Sequence, residues 1–248
     1  DLKGGLGCFP YTYNSEGEPV ATPAAYTSVK TITGETLGLG QLKDLSCIIY
    51  DNAGTVYIAD SGNNRIVMLD NQYNLKGVIG PFDNNGTLDN FNNPTGLCAV
   101  DGKLYVADPA TARILCFDGV SHQLIREFGR PVIETQAEDY VYEPTQLAVD
   151  YAGRMYVIAK GINQGLVQLD ENGEFMSYMG APKVSPTFTQ IIRRWFATKE
   201  QAAALMKIVP TEYNAVKMDD KGFLYVTAKT QNVKPISRLN SQGENVLK

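Results

Sequence analysis

Seven residues of this 248-residue chain carry groups that could hold a ligand if the fold gathers them. Asn93 and Glu143 each precede a proline, and Glu212 and Asn214 follow Pro210 at a related place. Carboxylate and amide oxygens converging on one point would suit a hard cation, so calcium is the candidate cofactor and its ligand set stays open. The plainer account is that these groups simply line a hydrated channel. Arg193, Arg194 and Trp195 are adjacent and could greet an anionic group, although a basic pair on a solvated helix face and a packed indole explain them equally simply. No residue is assigned a catalytic role. There is no nucleophile elbow and no base beside an obvious nucleophile. The one histidine, His122, excludes a His-rich metal site or relay. Asp83 to Asp89 has the composition of a calcium loop without EF-hand spacing, and reads as a turn.

Composition narrows the classes further. The 22 Lys+Arg stand against 27 Asp+Glu, a net charge of −5, so the basic field that nucleic-acid binding needs is missing. No apolar run approaches the ~20 residues of a membrane helix. Cys8, Cys47, Cys98 and Cys116 lack C-x-x-C spacing, and three of them sit in apolar runs, as small buried hydrophobes do.

The elements that must position these groups repeat along the chain. Asp51-Asn-Ala-Gly-Thr-Val-Tyr-Ile-Ala-Asp60 returns as Asp101-Gly-Lys-Leu-Tyr-Val-Ala-Asp108. Two further copies are Asp150-Tyr-Ala-Gly-Arg-Met-Tyr-Val-Ile-Ala159 and Asp219-Asp-Lys-Gly-Phe-Leu-Tyr-Val-Thr-Ala228. Their tyrosines, Tyr57, Tyr105, Tyr156 and Tyr225, are spaced by 48, 51 and 69 residues. Each copy is a hairpin about an Asp/Gly turn, followed by a third and a fourth β-rich run. Four short antiparallel strands in about 45–50 residues make one blade of a β-propeller. The fold class is therefore all-β: a propeller of four-stranded blades.

Tyr57-Ile-Ala-Asp-Ser-Gly-Asn-Asn-Arg-Ile66 resembles the NHL repeat. Asn93-Pro-Thr-Gly-Leu-Cys-Ala-Val-Asp101 with Tyr105-Val-Ala-Asp108 is a second copy, and Glu143-Pro-Thr-Gln-Leu-Ala-Val-Asp150 opens a third. The third departs at Lys160 to Gly165, and the fourth weakens after Ala228. The whole resembles bacterial extracytoplasmic NHL-repeat proteins, which implies an extracytoplasmic location, secreted or at the cell surface. It also implies about six blades in a complete chain, so further blades outside this segment are expected. Residues 1–40 are expected to supply strands that complete a blade, and 41–248 the propeller blades.

The turns at one end are short, whereas the connections at the other, about 81–93, 130–143 and 181–212, are long and mark the binding face. The last of these has helical spacing and is expected to form a helical insertion between blades. Arg65 and Arg113 follow loops opened by Asp60 and Asp108, so an Arg–Asp fork is expected to staple each blade. The function expected is non-enzymatic recognition or scaffolding, with a carbohydrate or protein partner on the long-loop face and no nucleic acid. The alternative is a metal-dependent lactonase- or esterase-like hydrolase at the channel mouth, since six-bladed lactonases resemble this arrangement in placing inner-rim oxygens around a metal. The peptidyl-amide lyases that share the NHL propeller need histidine ligands that one His cannot supply.

Overall fold

Each repeat folds into an antiparallel sheet whose strands follow one another from the innermost outward. A computed structural model describes residues 11–22, 30–162, 164–180, 213–228 and 235–247. The expected helical insertion at 181–212, with Arg193, Arg194, Trp195 and Glu212, lies outside the described residues.

Residues 1–41 form a unit of their own, in which β1 (Tyr11–Tyr13) pairs with β2 (Pro19–Ala21). The second unit, 42–248, carries the blades. Blade 1 is β3 (Leu45–Tyr50), β4 (Val56–Asp60), β5 (Arg65–Leu69) and β6 (Leu75–Ile79). A hairpin of β7 (Phe82–Asn84) and β8 (Thr87–Asp89) follows. Its Asn85-Gly86 corner has positive φ at both residues, as a two-residue hairpin requires. Blade 2 is β9 (Gly96–Val100), β10 (Lys103–Asp108), β11 (Arg113–Asp118) and β12 (Leu124–Phe128). Blade 3 is β13 (Glu143–Val149), β14 (Met155–Lys160), β15 (Leu166–Leu169) and β16 (Phe175–Met179). Blade 4 is β17 (Tyr213–Met218), β18 (Leu224–Ala228) and β19 (Ile236–Leu239), with a bridge from Leu239 to Asn245. The second unit is a four-blade β-propeller.

The repeated Asp is a turn-maker. Asp51 Oδ1 accepts the N–H groups of Ala53 (2.9 Å) and Thr55 (2.8 Å), and Asp150 and Asp219 do the same two and four residues on. Asp70, Asp170 and Asn240 repeat the device after the third strand. Such a side chain mimics a backbone turn, which is why Asp and Asn recur at these corners. The repeated Tyr closes the same corner: Tyr57 and Tyr156 donate their hydroxyls to Asp51 and Asp150 at 3.1 and 3.3 Å. Burial first, and the Asp51 charge second, push the Tyr57 phenol up to about 12.

Apolar cores lie between blades. The face of blade 1 carrying Tyr57, Ala59, Ile66 and Met68 packs on Leu97, Leu104, Val106 and Phe117 of blade 2. Tyr105, Ile114 and Cys116 of blade 2 pack on Leu147, Val157 and Leu169 of blade 3. Tyr156, Ile158 and Leu166 of blade 3 pack on Val216, Leu224 and Leu239 of blade 4. The innermost strands touch in series, β3 to β9, β9 to β13 and β13 to β17. Thr95 donates to Thr145 O at 2.9 Å, and Ser61 to Pro94 O at 2.5 Å, so the Pro-Thr pairs that open the inner strands are seams between blades.

The expected Arg–Asp fork is present. Arg65 Nε lies 2.6 Å from Asp60, which is fully buried. Arg113 does more: it reaches Asp108 (3.3 Å), Asp89 (2.6 Å) and Glu127 (3.1 Å), tying the β7–β8 hairpin to blade 2. The Arg113 guanidinium holds Asp89 well below the usual carboxylate range. Burial pushes Asp108 the other way, against hydrogen bonds from Thr111, Asn92 and Arg113.

Candidate functional site at the unsealed seam

Three seams between blades are sealed by apolar clusters, and no such cluster joins blade 4 to blade 1 among the described residues. The repeated tyrosine shows the difference. Tyr57, Tyr105 and Tyr156 are 1%, 5% and 4% exposed, each covered by the following blade, whereas Tyr225 is 36% exposed. On the facing wall, Leu97, Leu147 and Val216 are buried by the preceding blade, and their counterpart in blade 1, Ile48, is 68% exposed.

A cavity of about 510 Å³ runs along this seam and the inner strands. That is within the range of small-molecule sites. Its walls at the seam are Ile48 and Tyr50 of β3, and Ala215, Lys217, Tyr225 and Thr227 of blade 4. The Lys217 ammonium stands 5.8 Å from the centre of the Tyr50 ring. Asn52, Asp101, Tyr151 and Asp220 line the short-turn end, and Gln146 lies toward the other. Asp219 is engaged by the N–H groups of its own turn and by Arg238 at 3.6 Å. The Arg238 guanidinium in turn lies 3.7 Å over the Phe223 ring.

Cys47 and Cys98 also line the cavity, and their thiols are structural. Backbone groups of the next blade hydrogen-bond to them, Leu97 to Cys47 and Val149 to Cys98. Burial pushes both thiols up, Cys98 to about 11.

The described candidates from the sequence do not gather. Asn93 has φ of 63° and donates its N–H to Asn64 Oδ1 at 2.8 Å, joining the loops of blades 1 and 2. Glu143, at the start of β13, faces Lys160 at 3.5 Å in solvent. Asn214 accepts the Thr227 hydroxyl at 2.5 Å, which sets it beside the cavity wall. Among the described residues no three His, Cys, Asp or Glu side chains are placed to hold a metal ion. Asp83 to Asp89, with its calcium-loop composition, is the β7–β8 hairpin: Asp83 Oδ1 accepts the Gly86 N–H, and Asp89 is held by Arg113. Tyr50 and Lys217 do not stand out in a linear reading, because alternating strands place such side chains everywhere. A position-by-position comparison of the four copies is the signal that finds them.

No family model matches the chain, and no curated protein matches it. Solved structures do. The chain is similar to a streptogramin B lyase at 12% identity and a TM-score of 0.50, over 94% of this chain and 59% of that one. It is similar to the hydrazine synthase of Kuenenia stuttgartiensis at 12% and 0.52, over 90% and 51%. With U3-55K the values are 8% and 0.52, over 84% and 52%. The likeness is one of fold. The chain spans about half to three-fifths of the length of these three chains.

No helix among the described residues is long and apolar enough to cross a membrane.

Proposed function

We propose that this chain is a non-enzymatic recognition module of NHL type, working outside the cytoplasm and binding a carbohydrate at the unsealed seam. One observation carries the reading: the cavity is lined by two exposed tyrosines, Tyr50 at the seam and Tyr151 at the short-turn end, and by Asp101, Asp220 and Asn52. Aromatic faces supply stacking area for the apolar side of a sugar ring, and nearby oxygens accept its hydroxyls. The cavity extends from the short-turn end to Thr227 beside Asn214, so it meets the long-connection end as well. The NHL resemblance supports the extracytoplasmic placing.

Thermal melting of the protein against a panel of oligosaccharides, each with calcium and with EDTA, tests the reading. A ligand that binds the native state raises the melting temperature by linkage. The expected result is a rise with at least one oligosaccharide, lost in Tyr50→Ala. Turnover of a sugar lactone in calcium would replace recognition by the hydrolase alternative, and a panel with no rise would remove the carbohydrate.

A further inference from the structure

The four copies differ at the seam in a directed way. The position paired with the repeated tyrosine on the inner strand is Ile49, Cys98 and Ala148 in blades 1 to 3, and Lys217 in blade 4. Two residues beyond the tyrosine stand Ala59, Ala107 and Ile158, and then Thr227. Across the gap, the inner-strand position paired with the residue before the tyrosine is Ala99, Val149 and Met218 in blades 2 to 4, and Tyr50 in blade 1. Three sealed seams thus carry apolar groups at these places. The open one carries a cation, a hydroxyl and an aromatic face, at the same positions.

We infer that the seam takes an acidic oligosaccharide, with a uronate carboxylate on Lys217 and a pyranose ring against Tyr50. This rests on the carbohydrate reading above and names the class of sugar. Lys217 is the cation that lines the cavity, and among the described residues no carboxylate pairs with it: its ammonium stands by the Tyr50 ring. Arg238, the other cation on this wall of blade 4, is committed to Asp219 and Phe223. Asp101 and Asp220 at the short-turn end argue against a polyanion such as a nucleotide, which would meet like charge there. A uronate oligosaccharide satisfies both ends, with one carboxylate for Lys217 and neutral hydroxyls donating to the acids.

Calorimetric titration of the full chain with trigalacturonate and with a neutral galactose trisaccharide, at low and high salt, decides the matter. The acidic sugar is expected to bind at least about tenfold tighter than the neutral one, and to weaken in high salt because the contact is partly exposed. Lys217→Met is expected to erase that preference, bringing the acidic sugar to the affinity of the neutral one, and Tyr50→Leu to weaken both sugars. Melting curves confirm that each variant is folded. Equal affinity for the two sugars, or a Lys217→Met variant that keeps the preference, overturns the acidic assignment and leaves carbohydrate recognition standing. No binding of either sugar, nor of any in the melting panel, overturns both. Inorganic phosphate competing as well as the trisaccharide would also overturn it, by showing that Lys217 reads charge alone.

Discussion

Arg113 carries more of the architecture than any other single side chain described. It satisfies Asp108, which is fully buried, and reaches out to Asp89 and Glu127. Removing one partner of a buried pair strands the other, so Arg113→Met is expected to cost about 3 kcal/mol in chemical denaturation. The pH dependence follows from the directions of the shifts. Asp89 lies below its unfolded value, so its contribution is complete above a pH of about 4 and is lost as pH falls through the folded value. Asp108 is shifted upward, has the opposite sign and offsets part of the loss. In Arg113→Met the acid-side slope from Asp89 should shrink to what Asn84 and the Asn90 N–H sustain, which a denaturation series between about pH 5 and 2 would reveal. A second residue makes the contrary case. Among the described residues the buried Tyr142 hydroxyl has no hydrogen-bond partner, so Tyr142→Phe is expected to stabilise by about 1 kcal/mol, read as a higher melting temperature.

At the scale of elements, the blades are held by backbone approach as much as by side chains. A Cβ on Gly96 would fall 2.6 Å from Thr145 O and 2.8 Å from the Gln146 Cα, backbone atoms of the next inner strand. Gly96→Ala must therefore push β9 off β13. It is expected to cost about 2 kcal/mol in equilibrium unfolding. The elements themselves were legible from the chain: Asp-Gly corners and alternating runs identify the hairpins because their cause is local, an Asp side chain bonding its own turn. The Arg–Asp forks were legible for the same reason, five residues apart across one tight connection. The partners of Arg113 on the β7–β8 hairpin were not, since nothing local ties Asp89 to a strand 24 residues on. Asn93 and Glu143 stand before the prolines that lead into inner strands, but their companions are a loop amide and a lysine rather than one another.

The whole propeller is uneven. Among the described residues, blades 2 and 3 are covered on both faces by sealed seams, while blade 4 is covered on one. Protection from hydrogen exchange tracks local opening, so amides of β10, β11, β14 and β15 are expected to exchange most slowly and those of β18 and β19 markedly faster. Uniform protection across all four blades would count against the open seam. This seam was hidden from the sequence because it belongs to no repeat; it exists only where the last described blade turns toward the first. The inner-strand thiols have a consequence of another kind. A thiol with a pKa of about 11, as at Cys98, is ionised in about one molecule in ten thousand at neutral pH, and the thiolate is the form that reacts. Cys98 should therefore resist iodoacetamide until the fold is opened. Free cysteines are commonly a hazard where oxidants abound, yet Cys98 stays chemically quiet for as long as the blades stay together.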